Sequence, residues 1–193
     1  MKSLEKWNKR IRPHEISNRF TPRVQKVLNE IDIDKVPLPE IDFDQGEGAF
    51  IYGPLKSGKT ITSCCILLDF LKHVYLNDGP KHPRSADFVV VPDLLYQIKR
   101  SYDKTTAWNE DAIINRYREL DLLVLDEIGL SNKPSEWLLD TLYLIINYRY
   151  EHLKPTVFTS NLNLSEMVEV LGDDRITSRI QRMCRIIQKQ PYS

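Results

Sequence analysis

Glycine is scarce in this chain, with seven among 193 residues; cysteine is scarcer, with three; and net charge is absent, 27 Lys and Arg balancing 27 Asp and Glu. Each shortage excludes something. No apolar run approaches the length of a bilayer-crossing helix, and the opening "MKSLEKWNKR" lacks the apolar stretch of a secretory signal. The expectation is a soluble, cytoplasmic protein with no membrane partner. Cys64, Cys65 and Cys184 have no metal-ligand spacing, and the adjacent pair is poorly placed to bridge itself, which argues for reduced, mostly buried thiols. Zero net charge argues against a wholly basic nucleic-acid binder.

The balance conceals blocks. Residues 2–23 carry seven Lys and Arg against Glu5 and Glu15, residues 28–47 carry seven acids against Lys35, and residues 175–193 carry five basic residues and no acid. A length of 193 residues suits one sizeable core with an appendage. Leu4, Trp7 and Ile11 mark one apolar helical stripe. Val24, Val27, Leu28 and Ile31 mark a second, opened by Thr21 as N-cap and Pro22 at N1. "DKVPLPEIDFDQGEG" then breaks any helix with two prolines and an acidic run. The expected organisation is a helical extension at 1–33, a linker at 34–47 and a main domain at 48–193.

Within the main domain, "AFIY" (49–52), "DFVVV" (87–91), "LLVLD" (122–126) and "TVFTS" (156–160) are short and apolar, as strands buried on both faces are. Residues 60–73, 93–103, 110–119 and 135–151 read as helices between them. Strands alternating with helices predict parallel crossovers and an α/β sandwich.

Two of the few glycines fall in "GPLKSGKT" (53–60), between the strand "AFIY" and the helical "ITSCCILLDFLK". This is the G-x-x-x-x-G-K-[ST] pattern in its strand, loop and helix context. Gly53 and Gly58 let the backbone of Pro54, Leu55, Lys56 and Ser57 curl so that N–H groups point at phosphate oxygens. The helix beginning near Lys59, Thr60 and Ile61 turns its positive end toward the same point. Lys59 brings a charge for the outer phosphates, and Thr60 a hydroxyl for Mg²⁺. "DLLVLDEIG" (121–129) ends a strand in two acids. Asp126, at the carboxyl end of a parallel strand, is expected in the magnesium shell, and Glu127 is the expected base that polarises water toward the γ-phosphate. A water-activating Glu after the metal-binding acid points to ATP hydrolysis rather than transfer to a bound substrate. The cofactors expected are ATP and Mg²⁺.

The stretch from "FVVVPDLL" through "LDEIG", "INYRYE", "KPTVFTSNL" and "LGDDRITSRI" resembles the AAA+ domain of the DnaC/DnaI helicase loaders and their relatives, the IstB transposition ATPases. With the phosphate loop the resemblance covers roughly residues 45–182. It implies a P-loop AAA+ three-layer sandwich with a parallel sheet. It also implies that Asn161 is the sensor 1 residue orienting the lytic water. "NLSE" separately supplies a helix start, with Asn163 as N-cap, Glu166 as capping-box partner and Gly172 as C-cap. Arg175, Arg179 and Arg182 lie at i, i+4 and i+7, one helical face. The resemblance makes Arg179 the arginine finger that reaches ATP on a neighbouring subunit. Arg175 either assists or pairs with Asp173 or Asp174, and Arg182 and Arg185 are either solvated or in contact with DNA or a partner. By analogy, Lys99, Arg100, Lys104 and Arg116 are candidate DNA-phosphate contacts, with ordinary surface charge as the alternative.

The sequence departs from the family by ending at Ser193, before the region where loaders carry a sensor 2 arginine, so no full C-terminal lid is expected. Residues 1–33 do not match the docking domain of cellular loaders, and their length suits a compact phage or mobile-element version. The implied function is a helicase loader that forms a homo-oligomer in the ATP state and places a hexameric replicative helicase on single-stranded DNA. Two alternatives stand beside it: an IstB-like ATPase acting on duplex DNA with a transposase, and a nucleotide-gated adaptor without significant turnover.

Overall fold

The computed structural model describes residues 12–32, 35–77, 85–101, 109–129 and 134–191. The expected stripe Leu4, Trp7 and Ile11 and the candidate Lys104 lie outside them. In chain order the elements are α1 (Arg12–Arg19), α2 (Pro22–Glu30), β1 (Gly48–Tyr52), α3 (Lys59–Asn77), β2 (Ala86–Val90), α4 (Val91–Arg100), α5 (Glu110–Glu119), β3 (Leu122–Asp126), α6 (Glu136–Glu151), β4 (Thr156–Ser160), α7 (Leu164–Leu171), α8 (Arg175–Met183) and β5 (Cys184–Gln188). A short 3₁₀ turn, Phe43–Gln45, precedes β1.

The five strands form one parallel sheet in the order β2-β3-β4-β1-β5. Their side chains divide by the alternation of the pleat. Phe50, Leu123, Leu125 and Phe158 face a core shared with α4, α5, α6, α7 and α8. Ala49, Ile51, Leu122, Val124 and Val157 face a second core shared with α1, α2 and α3. The result is the expected three-layer α/β sandwich, and burial on both faces explains why β1, β3 and β4 are nearly continuous apolar runs.

The strand order adds to the sequence reading. In space β4 stands between the phosphate-loop strand and the acidic strand, and "DFVVV" forms β2 at the sheet edge. A fifth strand, β5, follows α8 directly and pairs with β1 from Gly48↔Cys184 to Tyr52↔Gln188. Its Arg185 and Ile186 are exposed, so it lacks the apolar density by which a buried strand announces itself.

Residues 12–32 pack into the second core rather than standing apart. Ile16, Phe20 and Leu28 are buried there, and Val36, Leu38, Ile41 and Phe43 from the acidic segment pack against it. Phe20 meets Phe88 of β2 edge to face at 5.5 Å, and the Arg19 guanidinium donates to the Ala86 carbonyl. Thr21 is the N-cap of α2 with Pro22 in its first turn, although the Thr21 side chain makes no capping hydrogen bond. At the other end of the chain, α7 carries the full capping box, Asn163 with Glu166, and Gly172 closes it in the left-handed conformation.

Candidate active site

The carboxyl ends of β1, β3 and β4 converge on one edge of the sheet, and each contributes chemistry. After β1 the loop turns through Gly53 (φ 148°), Lys56 (φ 63°) and Gly58 (φ 80°) before α3 begins. A β-carbon on Gly53 would lie 2.3 Å from the Lys189 carbonyl oxygen, so the close passage of the segment after β5 requires glycine here. The Lys59 ammonium spans the loop, donating to the carbonyls of Gly53 at 2.9 Å and Pro54 at 2.8 Å. Burial lowers its pKa, opposed by the carboxylates of Asp126 and Glu127.

Asp126, at the end of β3, is buried and accepts the Thr60 hydroxyl at 3.1 and 3.2 Å on its two oxygens. It also accepts the Thr159 hydroxyl at 2.5 Å. Burial raises its pKa above the ordinary carboxylate value, with Glu127 adding to the rise and the two hydroxyls opposing it. Glu127 follows in the left-handed region (φ 62°), sparsely populated for a residue with a β-carbon. Its backbone N–H donates to Thr159 Oγ1 at 3.0 Å, and the next N–H, of Ile128, to the Thr159 carbonyl at 2.9 Å. The Glu127 side chain is thereby turned out of the core and is exposed. Asn161, just past β4, is exposed too and makes no hydrogen bond among the described residues.

These groups share a cleft of about 530 Å³ lined by Leu55 to Ile61, Asp126, Glu127, Thr159, Ser160 and Asn161. Its opposite wall is α2, through Thr21, Arg23, Val24 and Val27, together with Phe88 and Val90 of β2. The sequence reading missed this wall. It also missed Thr159, whose only signal is a hydroxyl residue two places before Asn161. The register of β3 against β4, with Leu125 opposite Phe158, is what sets Thr159 beside Asp126.

The donor set fits a magnesium nucleotide. Ser57 Oγ, at the turn of the phosphate loop, is the buried side-chain oxygen without a partner among the described residues, an orphan that a phosphate oxygen would satisfy. Thr60 and Asp126 already place a hydroxyl and a carboxylate side by side, as shared ligation of Mg²⁺ requires.

The arginines of "DRITSRIQRMCR" do not line this cleft and behave differently from one another. Arg175 pairs with Asp173 at 2.6 Å and Asp140 at 3.3 Å. Arg179 lies against α6, bonded to Asn147 and Tyr143. Arg182 is exposed without a hydrogen bond or ion pair among the described residues. Arg185 lies on β5 and pairs with Glu47 at 3.2 Å. Of the other candidates, Arg116 pairs with Asp87 at 2.6 Å, Arg100 lies 5.7 Å from the ring centre of Tyr96, and Lys99 is exposed. No helix among the described residues is long and apolar enough to cross a membrane, and no group of His, Cys, Asp and Glu among them forms a separate metal site.

A family model described as IstB-like ATP binding protein matches residues 40–190. The chain is 33% identical over 78 residues to the phage-like element PBSX protein XkdC of Bacillus subtilis (strain 168), covering 38% of this chain and 29% of that protein. It is 26% identical over 140 residues to the replicative helicase loader DnaC of Escherichia coli (strain K12), covering 72% of this chain and 53% of that protein. The matched segments thus span about half or less of these curated relatives. Among solved structures, that of DnaI superposes with a TM-score of 0.61 at 21% identity over 92% of this chain and 94% of that one, a likeness of fold.

Proposed function

The chain belongs to the IstB-like ATP-binding family, and from that premise we propose that it is a magnesium-dependent ATPase of the AAA+ helicase-loader type. It assembles with copies of itself in the ATP state, engages a hexameric replicative helicase and helps place it on single-stranded DNA. The arrangement that carries the enzymatic part is Thr60, Asp126, Thr159 and Glu127 in one hydrogen-bonded group beside the phosphate loop. Thr60 and Asp126 would hold Mg²⁺, which when bound would neutralise charge on the substrate's phosphates. The loop N–H groups and Lys59 bind and orient ATP, Asn161 aligns the attacking water, and the exposed Glu127 carboxylate accepts its proton. Arg179 of one copy completes the site of the next.

The loader reading draws on likeness to DnaC and DnaI, and the match to a phage-like element protein fits a phage-type version. It is tested by co-elution of the purified protein with its host's replicative helicase in the presence of a non-hydrolysable ATP analogue, with stoichiometry from light scattering. A defined complex is expected. The family match itself favours a second reading, a transposition ATPase. The absence of a helicase complex together with ATP-dependent filaments on duplex DNA would establish that reading instead.

A further inference from the structure

Arg179 is held without being neutralised. Its Nε donates to Asn147 Oδ1 at 2.9 Å, Nη2 to the Tyr143 hydroxyl at 3.1 Å and Nη1 to the Arg175 carbonyl at 3.3 Å. The guanidinium carbon lies 5.1 Å from the Tyr143 ring centre. Every acceptor is neutral, and Arg179 makes no ion pair among the described residues. Tyr143 and Asn147 are one turn apart on α6, so the ring face and the amide oxygen meet the same guanidinium.

Arg175 provides an internal contrast. It lies 4.9 Å from the same ring, yet it is paired with Asp173 and Asp140. Two cations therefore share one aromatic ring: Arg175 is paired directly with carboxylates, whereas Arg179 feels Asp173 only through space and has no ion pair among the described residues. An aspartate at position 147 has the same size as asparagine and would satisfy the same geometry with a stronger bond. The amide instead orders the side chain, reducing the rotamer entropy lost when it meets an anion, while adding no carboxylate to cancel its field and leaving its remaining Nη N–H groups free.

We propose that Tyr143 and Asn147 form a charge-neutral clamp that positions Arg179 for the phosphates of a nucleotide bound by a second copy of this chain. Neutrality at position 147 keeps the guanidinium available. This rests on the reading of Arg179 as a residue acting in trans, and the test separates the two. In the full chain, Asn147→Asp turns the clamp into an internal ion pair, and Arg179→Ala removes the cation. Both are compared with wild type for ATPase kinetics, for melting temperature, and for the ¹H–¹⁵N signal of Arg179 Nε–H, identified by its loss in Arg179→Lys.

The expected result for Asn147→Asp is a kcat about tenfold or more below wild type with KM for ATP within about twofold. Its melting temperature should not fall, and its Nε–H signal should no longer shift when a non-hydrolysable ATP analogue drives assembly. If Arg179→Ala lowers kcat while Asn147→Asp keeps wild-type kcat and a wild-type Nε–H response, the clamp is refuted and the finger stands. If Arg179→Ala itself keeps wild-type kcat, the trans reading fails and the clamp with it.

Discussion

The hydroxyl of Thr159 donates to Asp126 Oδ1 at 2.5 Å while accepting the backbone N–H of Glu127 at 3.0 Å, so one side chain orients both the proposed metal ligand and the conformation of the proposed base. Removing that hydroxyl leaves the Asp126 carboxylate held by Thr60 alone and removes a bond that supports the left-handed backbone at Glu127. Thr159→Val is therefore expected to lower kcat by about tenfold to a hundredfold, with nucleotide affinity changed much less, because the phosphate loop is untouched. Thr159→Ser should recover most of the loss. Steady-state ATPase assays alongside equilibrium nucleotide binding check the split.

Asp126 should be a cost to the unliganded fold. Its pKa is raised by burial, so the folded state holds the proton more tightly than the unfolded state does. Stability from this group is complete below the ordinary carboxylate range and is lost as pH rises through the raised folded value. Asp126→Asn is expected to raise the melting temperature at neutral pH without nucleotide while abolishing turnover. The gain should shrink as pH falls into the carboxylate range, where the wild-type side chain is protonated too. Thermal melts across pH, with no magnesium or nucleotide, measure it.

Arg149 is fully buried in "INYRYE", and its role is architectural. It donates to the carbonyls of Tyr117, Arg118 and Leu120 at the end of α5, to the Pro155 carbonyl and to the Thr156 hydroxyl at the start of β4. Burial lowers its pKa to about 9, so it stays charged at neutral pH, facing the negative end of a helix. Neither lysine nor alanine can meet so many acceptors from one planar group. Arg149→Ala should cost about 3 kcal/mol or more, leaving buried carbonyls unpaired and a cavity. Urea denaturation measures the loss.

The proposed action of Arg179 in trans makes a mixing prediction. Lys59→Ala lacks the ammonium proposed to bind phosphate and Arg179→Ala lacks the proposed finger, so each alone should be inactive. A mixture assembles some interfaces in which an intact loop meets an intact Arg179. Partial recovery of ATPase activity on mixing is expected, and none in assembled mixtures would count against Arg179.

Glu127→Gln separates an ATPase cycle from a nucleotide-gated adaptor. If turnover drives the switch, this variant should bind ATP normally, turn over slowly and accumulate as a trapped assembly with its partner. An adaptor would act normally with the substitution. Release of the partner after ATP addition, followed by gel filtration, distinguishes the two.

What the sequence determined by itself lies where chemistry depends on local spacing. The phosphate loop, the acids closing β3, the capping box of α7 and four of the five strands follow from patterns within a few residues: glycines at a turn, a carboxylate ending an apolar run, alternation against helical period. The parts that only the tertiary structure decided depend on neighbours far apart in the chain. Thr159 matters because β4 lies beside β3, and strand order is not a local property. The edge strand β5 was hidden because half of it faces solvent and its partner, β1, lies far earlier in the chain. The helical extension expected at 1–33 read as an appendage, yet its Ile16, Phe20 and Leu28 join the core under α3 and α2 walls the cleft beside the phosphate loop. The arginine face likewise has one periodicity and several fates, since Asp140, Tyr143 and Asn147 on α6 determine which cation is neutralised and which is kept charged.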